Sequence, residues 1–240
     1  MAARGRLVAI EGASASGKTT LVRTAARLLG WHPLPEAFDR LDPAPTLEFG
    51  SPAELLRLEG TLLAEESRRY REARALCRRG RTVLADTGFL GPLTYTCGLV
   101  EVGRAPASVG RVIGQATRSL LRKGTLGIPD LTIYLHTSAS ERAQRARSGA
   151  QGHPAALFTR HEAVGRVERR YFEEVFPAAL PDRFRKLRGR AGPAGLAREL
   201  AQIVGAAAPS PASRAEGLAV ASLLELPARA GRRAKVGPNR

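Results

Sequence analysis

One stretch limits the folds open to this chain more than any other: Gly12-Ala13-Ser14-Ala15-Ser16-Gly17-Lys18-Thr19. It fits the spacing GxxxxGK[ST] in full, a spacing whose chemistry requires a buried strand before it and a helix after it. Arg6–Ile10 (RLVAI) supplies the strand. Thr19–Leu29 supplies the helix, with Leu21, Val22, Ala25, Leu28 and Leu29 on one face. In that setting successive backbone N–H groups at the turn and the helix start point inward and bind phosphate oxygens. Gly12 and Gly17 allow backbone angles and close approaches that a side chain would block. Ala13, Ser14, Ala15 and Ser16 are small and leave the cradle open. Lys18 brings a compact cation to the β- and γ-phosphates, the Thr19 hydroxyl is a ligand for Mg²⁺, and Thr20 continues the cradle into the helix. The expected ligands are ATP and Mg²⁺.

Strands and helices alternate along the rest of the chain. A short strand is expected within Trp31–Ala37, and a long helix starts at Ser51-Pro52, with Ser51 as N-cap, and closes at Gly80. Thr82–Asp86 (TVLAD) reads as a buried strand ending in an acid, and Asp130–Thr137 (DLTIYLHT) as the clearest strand of all. Helical periodicity marks Val109–Leu121, Ser140–Arg147, Thr159–Phe176 and Pro193–Gly205, with a last strand at Phe184–Gly189. This alternation predicts an α/β fold with a parallel sheet covered on both faces. Residues 1–206 form one domain, with a lid at about 141–170. Residues 207–240, rich in Ala, Pro, Ser and Arg, read as a flexible tail in which Gly217–Leu226 has the makings of a docking helix.

The formal net charge is +16, and 34 of the 38 basic residues are arginine. A balance this basic raises the question of nucleic acid. Here the arginines are dispersed rather than blocked, and aromatic residues for base stacking are only 5% of the chain. That argues against nucleic acid as the main substrate without excluding it, and diffuse attraction for phosphate-bearing small molecules accounts for the charge equally well. Two cysteines, Cys77 and Cys97, suggest no disulfide framework. With no signal peptide and no apolar run of membrane-spanning length, the expected setting is the cytoplasm, with no membrane partner. A homodimer is left open.

Other phosphate-cradle proteins can be separated on their signatures. A guanine-reading Asn-Lys-x-Asp is excluded, because the one asparagine is Asn239. Motor and transporter ATPases place a second acid after the strand-ending aspartate, whereas Asp86 is followed by Thr87 and Gly88. Transfer to a bound acceptor is favoured over controlled hydrolysis.

The cradle at 12–19, PEAFDRL at 35–41, VLAD at 83–86, PDLTIYLHTS at 129–138 and ERAQRAR at 141–147 recur in this order in a known group. The chain resembles the thymidylate kinase and deoxyribonucleoside kinase group of P-loop kinases over about residues 5–206. The resemblance implies a five-stranded sheet of order 2-3-1-4-5, an arginine-bearing lid, and phosphoryl transfer from ATP-Mg²⁺ to a hydroxyl or a monophosphate. It implies that Glu36 faces the acceptor hydroxyl as the base and that Asp86 serves Mg²⁺ or its waters, although the two acids could exchange roles. Arg142, Arg145 and Arg147 become the lid arginines: the first two act on the transferring charge and Arg147 on the bound nucleotide. The group places an arginine directly after the acid at position 86, to clamp the acceptor's phosphate or the transferring one, and this chain has Thr87. Without that clamp the acceptor tilts toward a neutral hydroxyl compound, with Phe89, Leu90, Tyr95 and Tyr70 as candidate pocket linings. The readings kept beside a nucleoside or nucleotide kinase are a kinase of another hydroxylated metabolite or antibiotic, a nucleic-acid 5′-end kinase, and a non-kinase nucleotide-binding switch.

Overall fold

The computed structural model of the chain describes residues 5–43, 45, 49–147, 155–188, 192–207 and 211–230. Five strands, β1 (Leu7–Glu11), β2 (His32–Leu34), β3 (Val83–Asp86), β4 (Leu131–His136) and β5 (Phe184–Arg188), form one sheet in the order β2-β3-β1-β4-β5. Every pairing is parallel. The helices are α1 (Lys18–Leu29), α2 (Pro52–Arg78), α3 (Gly91–Glu101), α4 (Ala107–Lys123), α5 (Ala139–Arg147), α6 (Ala155–Arg170), α7 (Phe176–Ala179), α8 (Pro193–Ala206) and α9 (Arg214–Ala230). A π-helical turn at Tyr171–Val175 joins α6 to α7.

The strands are apolar on both sides because both sides are covered, and alternate residues therefore sort into two cores. Val8, Ile10, Leu84, Ile133 and Leu135 pack with Leu21, Val22 and Ala25 of α1 and Leu196, Ala197 and Leu200 of α8. Leu7, Ala9, Val83, Ala85 and Tyr134 pack the other way, against α2, α3, α6 and α9. A satellite core of Leu55, Leu99, Val109, Ile113 and Val164 ties α2, α3, α4 and α6 together beyond the sheet.

Local chemistry sets the boundaries. The Ser51 hydroxyl accepts from the Glu54 N–H at 3.2 Å and caps α2, with Pro52 in its first turn. Gly30 closes α1 in the left-handed conformation at φ 67°. The helix α3 was not anticipated. Its residues from Pro92 to Leu99 are buried except Tyr95, so it carries no polar stripe and shows no amphipathic period. The segment read as a flexible tail contributes α9, which lies on α3 and α4. Val220 and Ala221 are fully buried, and Gly217 lets Leu121 approach to 3.1 Å of where a Cβ would stand. An apolar face at helical spacing within Gly217–Leu226, the stretch with the makings of a docking helix, seats the segment on the body. The residues of the expected flap, 148–154, lie outside the described residues, as do 231–240 of the tail. No helix among the described residues is long and apolar enough to cross a membrane.

Candidate active site

All strands of a parallel sheet end on the same side, so Glu11, Asp86, the residues after Leu34 and those after His136 gather at one edge. The phosphate cradle opens there. It needs glycine at two points. Gly12 has φ 155°, and a Cβ on it would stand 2.8 Å from both Leu135 O and Ser16 Oγ; Gly17 has φ 98°. Lys18 starts α1 and folds its ammonium back over the turn, donating to Gly12 O at 2.8 Å and to Ala13 O at 3.4 Å. Its charge therefore sits at the mouth of the ring of amides. Ser16 is 2% exposed, and its Oγ is buried without a hydrogen-bond partner. The Ser16 carbonyl is held by two groups from beyond β4, Thr137 Oγ1 at 3.1 Å and Arg145 Nη1 at 2.5 Å.

The Arg145 contact brings the arginine segment onto the cradle. Arg142, one turn earlier on α5, is 2% exposed, whereas Arg147 at the helix end is exposed. Of the three, Arg145 touches the cradle and Arg142 is packed into the body. Thr19 is partly covered and Thr20 exposed, both in the first turn of α1.

Asp86 ends β3 and is 2% exposed. Its carbonyl accepts from Arg69 Nη2 at 2.8 Å, while its Oδ1 is buried without a partner. The alternation along β3 puts Asp86 on the side of Leu84, toward α1 and the cradle. A buried, unpartnered carboxylate oxygen beside a phosphate cradle fits a Mg²⁺ shell made mostly of phosphate and water oxygens. Among the described residues no group of three or more His, Cys, Asp or Glu side chains could hold a metal by itself.

Thr87 follows with φ 64°, a conformation that β-branched residues rarely adopt and that costs about 1–3 kcal/mol. Its N–H donates to Ile10 O at 3.1 Å, and the turn lets Gly88 N donate to Glu11 Oε1 at 2.7 Å. A Cβ on Gly88 would lie 2.5 Å from that same oxygen. The residue that stands in place of the expected arginine thus serves the turn that holds Glu11.

Glu36 follows β2 and leads into a short turn, Phe38–Arg40, which Arg40 ties to α2 through Glu65 at 2.9 Å and Glu72 at 2.8 Å. Burial raises its carboxyl above the ordinary range; Lys18 opposes the shift and Asp86 adds to it. A carboxyl whose affinity for protons is raised in this way is a stronger base than a solvated one.

Three further acids at this edge escaped the sequence reading. Glu11 ends β1 on the side of Leu7 and Ala9, and burial pushes its carboxyl up to about 8 against the Gly88 hydrogen bond and Lys18. Glu168, on α6, is pushed up to about 7 by burial and by Glu36, against Lys18. Glu59, on α2, is fully buried, with neither carboxylate oxygen hydrogen-bonded, and burial together with Glu168 pushes it up to about 8. A signal for Glu59 was present: it lies four residues from both Leu55 and Leu63, so the apolar stripe of α2 carries it inward. Glu11 and Glu168 become neighbours only on folding.

Of the residues expected to line an acceptor pocket, Phe89 and Leu90 belong to the core. Tyr70, partly buried against the same core, stands edge-on to Phe89 at 5.3 Å and closes on Gly127. Tyr95 remains, partly buried against Leu55 and Val164.

No protein-family profile matches the chain, and no curated protein matches it. Solved structures do share its fold. Deoxyadenosine kinase from M. mycoides with bound dATP superimposes with a TM-score of 0.64 at 15% identity, covering 83% of this chain and 100% of that one. Thymidylate kinase from Candida albicans gives a TM-score of 0.59 at 16% identity, covering 84% and 92%. The same M. mycoides enzyme with bound dCTP gives 0.55 at 14% identity, covering 82% and 98%. The strand order, the parallel sheet and the cradle after β1 give this chain the fold of those P-loop kinases.

Proposed function

We propose that the chain is an ATP- and Mg²⁺-dependent kinase that moves the γ-phosphoryl group to the hydroxyl of a small acceptor of nucleoside size. The observation that carries this reading is the cradle itself: Lys18 over a glycine-bounded turn, with Arg145 of α5 hydrogen-bonded to Ser16 O at its rim. A cation that reaches the cradle from a separate element supports transfer, because it can neutralise the moving charge and exclude water together.

In this reading the backbone N–H groups of residues 13–19 and Lys18 hold the triphosphate. Thr19 and Asp86 would hold Mg²⁺, which when bound neutralises charge on the β- and γ-phosphates. Glu36 takes the hydroxyl proton as the acceptor oxygen bonds to phosphorus, and the bond to the β-phosphate oxygen breaks with release of ADP. The orphaned Asp86 oxygen on the cradle side supports metal binding there, and the raised Glu36 carboxyl supports the base role. Arg145 steadies the donor phosphates; Arg142 supports α5 from within. Thr87, strained and bound into the Glu11 turn, offers no guanidinium to an incoming monophosphate, which favours a hydroxyl acceptor.

ADP release measured against nucleosides, nucleoside monophosphates and hydroxylated metabolites tests the reading. Acceptor-dependent release with at least one hydroxyl compound is expected; slow release independent of every acceptor would make the chain a nucleotide switch instead.

A further inference from the structure

The acceptor side of the site holds more buried carboxyl groups than a proton relay needs. We propose that the acceptor carries a protonated amine as well as a hydroxyl, with Glu59 and Glu168 binding the ammonium while the hydroxyl meets Glu36; this rests on the kinase reading above.

Glu59 places the amine. It projects from the buried face of α2 between Leu55, packed on Val164 of α6, and Leu63, packed toward the sheet. Glu168 lies one turn beyond Val164 on α6, and its charge reaches Glu59 on one side and Glu36 and Lys18 on the other. Glu168 thus links Glu59 to Glu36 electrostatically, and Lys18 of the cradle acts on Glu168 and Glu36 but is not among the charges that move Glu59. Glu59 is 0% exposed and neither of its oxygens has a hydrogen-bond partner among the described residues, a costly arrangement that an apolar residue of similar size would avoid. The cations whose fields reach these acids are engaged already: Lys18 on the cradle carbonyls, Arg69 on Glu66 and the Asp86 carbonyl. A ligand cation would give Glu59 the partner that the described residues do not supply. A divalent ion would lack donors, since among the described residues no three such side chains converge. An anionic acceptor could form no ion pair with these carboxyls, and a neutral one could hydrogen-bond Glu59 but would draw nothing from its charge.

Binding should therefore convert a protonated Glu59 to its carboxylate and release a proton. The test is calorimetry at pH 7 on the full chain loaded with ADP and Mg²⁺. The probes are the aminocyclitol 2-deoxystreptamine, its neutral counterpart myo-inositol, thymidine and thymidine monophosphate, each in two buffers of different ionisation enthalpy. The aminocyclitol is expected to bind about tenfold or more tighter than myo-inositol, and to release protons. In Glu59→Gln that preference should collapse and the proton release vanish; Glu168→Gln should weaken the preference independently, with the melting transition confirming that both variants fold. The proposal is overturned if the amine probe binds no tighter than its neutral counterpart, if the monophosphate binds best, or if the preference survives both substitutions. Failure of ADP itself to bind would sink the kinase reading instead, so the two failures are distinguishable.

Discussion

At the N-terminal edge of the sheet the Asp130 carboxylate accepts from Arg74 Nη1 at 2.6 Å, from Leu7 N at 2.9 Å and from Ala212 N at 3.2 Å. At the opposite edge, Glu59 and Asp86 Oδ1 have no hydrogen-bond partner among the described residues. Both edges bury acids, so burial alone does not separate them. The first edge uses its acid to join α2, β1 and the segment leading into α9, and every contact is local protein. The second leaves acids and one lysine around open phosphate-binding amides. Buried polar groups are ordinarily satisfied, so a concentration of unsatisfied ones marks where a ligand belongs.

The largest effect that would sharpen this contrast is on chemistry. Lys18→Ala should lower phosphoryl transfer by about 10³-fold or more while the melting transition stays within a few degrees; turnover near the parent level would remove the cradle from the mechanism. Next comes stability at the satisfied edge. Asp130→Ala strands the Arg74 guanidinium and the N–H groups of Leu7 and Ala212, and urea titration should show a loss of about 3 kcal/mol. At the unsatisfied edge the sign reverses. Glu59→Leu should leave stability unchanged or raise it by about 1–2 kcal/mol, while acceptor binding is lost. If Glu59→Leu destabilised the fold as much as Asp130→Ala, the two edges would not differ in the way described.

Arg145→Ala should lower kcat about tenfold to a hundredfold with little change in the acceptor KM, because its cation acts on transferring charge. A smaller effect is expected from pH. Glu11 and Glu59 are raised to about 8, and Glu66 and Glu168 to about 7, chiefly by burial. Below the unfolded value near 4.5 these groups are protonated in both states. Between that value and about 8 the folded state holds more protons, so stability falls as pH rises through this window. The urea midpoint of the ligand-free protein should decline from pH 5 to pH 8, and Glu59→Gln should flatten the slope. A midpoint that rose across that range would contradict the buried-acid description.

The frame of the molecule was legible because its signals are local. Gly12 to Thr19 dictated a strand, a turn and a helix; Ser51-Pro52 announced α2; and the runs at Val83–Asp86 and Leu131–His136 could be little but buried strands. The helix α3 was illegible because Gly91-Pro92 reads as a turn and the following residues are apolar on every side. The docking of α9 was hidden because no local pattern tells a segment which surface it will cover. The acids of the site divide the same way. Glu36 and Asp86 close predicted strands and were readable, whereas Glu168 acquires its meaning only when α6 brings it opposite Glu59, 109 positions earlier in the chain.

The claim underlying all of this is that the C-terminal edge is a triphosphate site, and titration calorimetry with a non-hydrolysable ATP analogue and Mg²⁺ tests it most directly. One site of micromolar affinity is predicted for the parent chain, weakened about a hundredfold or more in Lys18→Ala. Equal affinity in the two proteins, or no heat of binding in either, would contradict it.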